Sequence, residues 1–307
     1  MANTATLKHA KPRMHTPAAA VAPTSSPARA FAMLSHPGRV RRANQDAVAA
    51  LPGIGAFVVC DGMGGAAAGE VASHLATEAF LDALRQHPGR QSRRIPPKSV
   101  SGPASGPASG PASGPAHRAL SNGASPFPPG HPHARLHEAV RAANQAVFRH
   151  SRKSQSLHGM GTTLVALLWD SAETLWLTHI GDSRCYRLRG GALELLTQDH
   201  SLVEEQVRAG VLTRAQAARS PIRNIITRAI GSQPAVEPDI AGHATQPGDL
   251  YLLASDGLTR ELDEAEIARI LSRSAGPALE PACQALIAAA NAHGGRDNIT
   301  VLLVACP

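Results

Sequence analysis

Phe57-Val58-Val59-Cys60-Asp61-Gly62 decides how this 307-residue chain is read. Four apolar residues in a row, two of them β-branched, make a short run of the kind that forms a strand. An acid closes the run and a glycine follows. A strand fixes its last side chain in space, while glycine lets the backbone turn sharply or approach a ligand closely. The arrangement recurs. Asp182 follows the apolar run 175–180 in Gly181-Asp182-Ser183-Arg184, and Asp256 follows the run 250–254 and precedes Gly257. Asp297 stands just before the final run, 299–305, in Arg296-Asp297-Asn298-Ile299-Thr300. Asp46 lies upstream of the first run, in Arg41-Arg42-Ala43-Asn44-Gln45-Asp46.

Several carboxylates gathered at strand ends repel one another unless a cation neutralises them. Ligands that are all oxygen suit Mg²⁺ and Mn²⁺ better than zinc. Any one of these aspartates is as readily a turn residue, because Asp-Gly is a common turn dipeptide. The recurrence at Asp61, Asp256 and Asp297 favours a metal site over turn chemistry alone.

Outward from these positions, a further apolar run lies at 163–168, and Arg189-Gly190-Gly191 joins two strand-like runs as a hairpin turn. Helical spacing appears at 70–84, through Val71, Leu75 and Ala79, and at 136–148, through Val140, Ala143 and Val147. Two more helical regions cover 201–219 and 263–292. Strands in the majority with helices in groups predict sheets covered by helical layers. Residues 1–30, rich in Ala, Pro, Ser and Thr, read as a disordered tail. A second low-complexity stretch, at about 88–132, carries a tandem Ser-Gly-Pro-Ala repeat and reads as an insertion. The helices on either side of it could not complete a core separately, so the expectation is one domain, 31–307, interrupted by that insertion.

The net charge of +7 invites a nucleic-acid reading, and its distribution argues against one. Residues 1–42 and 83–137 each contain seven Lys/Arg and no acid; the rest holds 16 basic against 23 acidic residues, a balance of −7. Basic charge confined to low-complexity segments does not make a nucleic-acid groove. The four cysteines, Cys60, Cys185, Cys283 and Cys306, show no ligand spacing and read as buried or idle thiols. No stretch approaches the ~20 apolar residues of a membrane span, and the expectation is a cytoplasmic protein.

The motifs, taken in order, resemble the PPM family, the type 2C protein phosphatases. They are Arg41-x-x-Asn44-Gln45-Asp46, Cys60-Asp61-Gly62-Met63-Gly64-Gly65, Gly159-Met160-Gly161-Thr162-Thr163, Gly181-Asp182-Ser183-Arg184, Ser255-Asp256-Gly257 and Asp297-Asn298-x-Thr300. Thr197-x-Asp199-His200-Ser201 and Thr227-Arg228-Ala229-Ile230-Gly231 match as well. The resemblance implies an α+β fold, a four-layer α-β-β-α sandwich of two stacked antiparallel β-sheets flanked by helices. It implies two divalent ions, Mn²⁺ or Mg²⁺, in a cleft at one end. Asp61 would bridge them, the Gly62 carbonyl would add a ligand to one, and Asp256 and Asp297 would complete the shell of the other. Asp182 would help hold a third, weaker ion. Arg41, a planar fork of donors, would bind the substrate phosphate. Asp46, Gln45 and Asn298 would stand behind these residues, Asn298 orienting Asp297. Residues 201–219 would form a flap beside the cleft, His200 would be structural, and Thr162 and Thr163 would pack beneath the site.

A water shared by two divalent cations gives up a proton readily and attacks phosphorus in line. The implied activity is hydrolysis of phosphoserine and phosphothreonine monoesters in proteins, opposing a bacterial Ser/Thr kinase, by a monomer. Two positions depart from the commonest pattern. Gln45 stands where many members have Glu, and Met63, which cannot donate a proton, stands where some eukaryotic members have His. A binding module without turnover and a metal-dependent nuclease or small-molecule phosphatase are the competing readings. The intact Asp61, Asp256 and Asp297 weigh against the first, and the acidic balance against a nuclease.

Overall fold

The run 57–60 is apolar throughout because both of its faces are covered. The structure, a computed structural model, describes residues 29–86, 125, 127–171, 173–273 and 279–307. The tail up to residue 28, and residues 87–124 of the expected insertion, lie outside the described residues. The chain forms β1 (Phe31–His36), β2 (Asp46–Leu51), β3 (Ala56–Met63), α1 (Ala66–Gln86), α2 (Pro132–Ser151), β4 (Gly161–Thr162), β5 (Leu164–Trp169) and β6 (Thr174–Ile180). There follow β7 (Arg184–Arg189), β8 (Ala192–Leu195), α3 (Leu202–Arg208), α4 (Arg214–Ala218), β9 (Asp239–Ala244) and β10 (Leu250–Ala254). The chain closes with α5 (Asp256–Thr259), α6 (Glu264–Arg273), α7 (Glu280–Ala292) and β11 (Ile299–Ala305).

The strands make two sheets, ordered β1-β11-β10-β7-β8 and β2-β3-β5-β6-β9, with β4 paired to β3. Alternation along each strand sorts the side chains into three apolar layers. Phe57, Val59, Val165 and Leu167 meet Tyr251, Leu253, Leu302 and Val304 between the sheets. Val58, Cys60, Leu164 and Ala166 turn the other way, onto Ala72, Ala76 and Phe80 of α1 and Val140 and Val147 of α2. Leu252, Val301 and Leu303 face Ile267 and Ile270 of α6 and Leu286 of α7. The result is the expected order of helices, sheet, sheet and helices. Four aromatics, Phe31, Phe57, Trp169 and Tyr251, lie between the sheets, where Phe57 is edge-on to Phe31 at 5.5 Å and to Trp169 at 5.8 Å. All four cysteines are buried and free.

Arg29 and Ala30, counted with the tail on composition, are anchored. The Arg29 guanidinium lies 4.7 Å above the Trp169 ring, and the Ala30 carbonyl accepts from the Ala305 N–H at 2.9 Å. The expected continuous helix over 201–219 is instead two short helices. Gly210 breaks it at φ +71°, and Thr213 and Gln216 cap the second piece reciprocally. Strands β1, β2 and β9 went unread in the sequence. Each lies at a sheet edge and is only partly buried, so none shows a continuous apolar run.

The register places the functional ends together. Val59 pairs with Val165 and Ile180 with Leu164, while Asp46 pairs with Asp61 and Ala254 with Val301. The C-terminal ends of β3, β6 and β10 and the starts of β2 and β11 therefore share one end of the sandwich. Among the described residues no helix is long and apolar enough to cross a membrane.

Phe57 is fully buried where the two sheets meet. Replacing Phe57 by Ala is expected to lower unfolding stability by about 3–5 kcal/mol, measured by urea denaturation. A loss below about 1 kcal/mol would show that the sheets do not depend on this contact.

Candidate active site

Two glycines bring the strand ends close to their neighbours. A Cβ on Gly62 would lie 2.1 Å from the Gly69 carbonyl oxygen of α1, and one on Gly257 would lie 2.0 Å from the Asn298 carbonyl oxygen. Any side chain at either position would push these elements apart. The backbone of Asp61 is gripped on both sides. Its N–H donates to Thr163 Oγ1 at 2.9 Å, and its carbonyl accepts from Thr162 Oγ1 at 2.8 Å and the Thr163 N–H at 2.9 Å. Thr163 Oγ1 in turn meets Ser183 Oγ at 2.7 Å, which ties the Asp61 turn to the one carrying Asp182.

Asp46 is the first residue of β2 and pairs with Asp61. Its Oδ2 accepts from Ser255 Oγ at 2.8 Å and Thr300 Oγ1 at 2.7 Å, both on the other sheet's side. Asn298 does comparable work for the loop that carries Arg41. Its Oδ1 accepts from the Gln45 N–H at 2.8 Å, and its Nδ2 donates to the carbonyls of Pro37 at 3.0 Å and Ala43 at 2.9 Å. The Asn298 N–H donates to Asp297 Oδ1 at 2.9 Å, which fixes that carboxylate. Gln45 turns its amide to the Gly65 carbonyl at 2.7 Å, a donation that a glutamate could not make.

These ties hold Asp46, Asp61, Asp182, Asp256 and Asp297 close enough for their charges to repel. Burial pushes the Asp61 carboxyl well above its ordinary value, and Asp46, Asp256, Asp182 and Asp297 push it further. Asp256 rises to about 6 through burial, with Arg260 opposing and Asp297 and Asp46 adding to the rise. Asp46 also rises to about 6, chiefly through burial. Asp182 rises to about 7 through burial and the charge of Asp256. Asp46 Oδ1, Asp182 Oδ1 and Asp256 Oδ1 are buried with no hydrogen-bond partner. Desolvated oxygens of this kind are costly unless something cationic completes them.

Arg41 Nη2 donates to Asp297 Oδ2 at 2.8 Å and leaves about half of its side chain exposed, with 51% accessible. The structure thus gathers every acid singled out in the sequence and brings Arg41 beside them. It also adds Arg260, which the sequence reading missed. The Arg260 guanidinium pairs with Asp256 Oδ2, reaches Asp182 Oδ2 at 3.4 Å and Asp297 Oδ2 at 3.9 Å. Its four-residue spacing from Asp256 on a helical turn was the available signal. Also unread was the fork of Arg184 on Asp199, at 2.9 and 2.7 Å. His200 holds the turn that precedes Asp182, its Nδ1 accepting from the Gly181 N–H at 3.1 Å while its Nε2 faces Asp239 Oδ2 at 3.4 Å. A cavity of about 300 Å³ opens beside the acids, with Asp182, Asp256 and Arg260 on one wall and Val203, Val207 and Arg214 of α3 and α4 on the other.

Comparison with known proteins agrees with this geometry. The family model for protein phosphatase 2C matches residues 39–292. The serine/threonine phosphatase stp of Listeria monocytogenes is 32% identical over 247 residues, which cover 80% of this chain and 82% of the relative. The crystal structure of the Mycobacterium tuberculosis serine/threonine phosphatase PstP/Ppp superposes with a TM-score of 0.70 at 33% identity, over 90% of this chain and 97% of that one. A structure of the PstP catalytic domain in complex with two manganese ions superposes at 0.66 and 32% identity, over 90% of this chain and 96% of that one. With the acids, the two-sheet frame and the motif order all in agreement, this chain belongs to the protein phosphatase 2C family.

Proposed function

We propose that the protein is a metal-dependent protein serine/threonine phosphatase whose ions are held by Asp61, the Gly62 carbonyl, Asp256 and Asp297. The observation that carries this reading is the set of buried carboxylates converging from both sheets, with Asp256 Oδ1 left without a protein partner. The residues fit divalent cations: every side-chain donor is oxygen, which suits Mn²⁺ or Mg²⁺. The manganese-bound relative supports the same ion pair here. When bound, the cations supply Lewis acidity and make a coordinated water acidic enough to attack near neutral pH.

The chain's own residues do the rest. Asn298 holds Asp297 from its backbone N–H, and through the carbonyls of Pro37 and Ala43 it fixes the loop that presents Arg41. Arg41, half-exposed at the rim, is the group that meets an incoming phosphate, because its fork matches two phosphate oxygens. Asp46 bonds across to Ser255 and Thr300 and keeps the Asp256 turn in register with Asp61. Gln45 contributes through its tie to Gly65, so its replacement of a carboxylate does not by itself argue for a protein without turnover. The substrates on this reading are phosphorylated proteins, with a Ser/Thr kinase acting in opposition. The phosphatase would work as a cytoplasmic monomer with a single catalytic domain.

With Mn²⁺ supplied, the protein is expected to release phosphate from a phosphothreonine peptide; EDTA abolishes this, and Asp256→Asn lowers it at least about a hundredfold. Faster hydrolysis of nucleic acid than of the peptide, or no turnover with metal bound, would overturn the assignment. Arg41→Ala is expected to raise KM for the peptide about tenfold, the loss of one charge-assisted phosphate contact. An unchanged KM would remove Arg41 from phosphate binding.

The metal-free protein carries a further signature. Its folded state holds Asp46 and Asp256 near about 6 and Asp182 near about 7, against an ordinary value of 3.8. Between those values the folded state binds more protons than the unfolded chain, so stability falls as pH rises from about 4 to about 7. Melting in EDTA is expected at lower temperature at pH 7 than at pH 5, and added Mn²⁺ should raise it more at pH 7. A metal-free protein that gains stability over that window would contradict the burial of these acids.

A further inference from the structure

Arg260 is the residue at this end of the molecule that the motif pattern does not account for. Its backbone follows α5 directly, and its N–H donates to the Asp256 carbonyl at 2.9 Å, so the side chain starts from a fixed point. The guanidinium sits on one oxygen of each neighbour: it pairs with Asp256 Oδ2 and lies 3.4 Å from Asp182 Oδ2. The oxygens it leaves alone, Asp182 Oδ1 and Asp256 Oδ1, are the buried ones without partners, on residues only 6% and 8% exposed. The four carboxylates Asp256, Asp182, Asp61 and Asp297 sustain its charge against the burial that opposes it.

We propose that Arg260 is a resident cation of the acidic cluster. It takes up the outer oxygens of Asp182 and Asp256, and the protein therefore holds two divalent ions without a third at Asp182. This rests on the metal-dependent reading of the same site and assigns Arg260 a positioning role within it. The charge balance favours the arrangement. Asp46, Asp61, Asp182, Asp256 and Asp297 against Arg41 and Arg260 leave an excess of negative charge that two divalent ions more than offset. A third ion at Asp182 would face both the other ions and the guanidinium, and like charges in a buried site repel strongly. One nitrogen serves both acids, since Nη2 is the atom that meets Asp256 Oδ2 and Asp182 Oδ2, so it is the positive charge at this point that counts.

The test counts bound Mn²⁺ in the full-length, metal-stripped protein by the loss of the free-ion EPR signal, with calorimetric titration in parallel. The wild type is expected to saturate at two ions per chain. Arg260→Ala should saturate at three, and Arg260→Ala combined with Asp182→Asn should return to two. Arg260→Lys, which keeps the charge, should stay at two and guards against a merely misfolded alanine variant; circular dichroism checks the fold of each. A wild type that binds three ions and loses one with Asp182→Asn overturns the proposal, as does a folded Arg260→Ala that stays at two. If neither wild type nor variants bind Mn²⁺, the metal-dependent reading falls along with it. Wild type at two with the alanine variant unchanged sinks the role of Arg260 alone.

Discussion

Crowding of like charge out of water is the constraint around which this molecule is organised. Carboxylates from five separate stretches of the chain meet at one end of the sandwich, and burial together with mutual repulsion raises the cost of ionising Asp46, Asp61, Asp182 and Asp256. Such a cluster persists only where the scaffold is stiff enough to hold it, because relaxed loops would swing the acids out to solvent. Here stiffness comes from two sheets that are apolar on both faces and so cannot slide without exposing a layer. Hydrogen bonds then pin the turns themselves. Asp46 spans the two sheets through Ser255 and Thr300, and Thr163 and Ser183 bind the turns of Asp61 and Asp182 to each other.

The same bonds couple the parts of the site. Asn298 touches the loop of Arg41 through three contacts while its own N–H orients Asp297. A disturbance at the rim is thus passed to an acid of the cluster through one side chain. Gly62 and Gly257 set the distances, since each lets a backbone carbonyl come nearer than any Cβ would permit.

Much of this was legible in the sequence. An acid at the end of an apolar run can be read from order alone, and so Asp61, Asp182, Asp256 and Asp297 stood out before any coordinates. The central strands were equally plain, because burial on both faces leaves uninterrupted apolar runs. The edge strands β1, β2 and β9 were not, because half-exposed strands mix polar and apolar residues. Asp46 was placed near the site but not in its strand, since its partners Ser255 and Thr300 lie 209 and 254 positions away. Arg260 was within reach of a local rule, the four-residue spacing of opposite charges on a helical turn, although it belongs to none of the motifs that carry the acids.

The length of α1 has a consequence for how the protein can change. Its 21 residues carry the chain about 30 Å from the glycine turn beside Asp61, and α2 brings it back. The chain re-enters at Phe127 and His131, which pack on Trp176, near the start of β6 and remote from Asp182 at its other end. The break between the two helices therefore opens at the pole opposite the chemistry. An insertion at this point therefore leaves and rejoins the fold far from the strand ends that carry the acids.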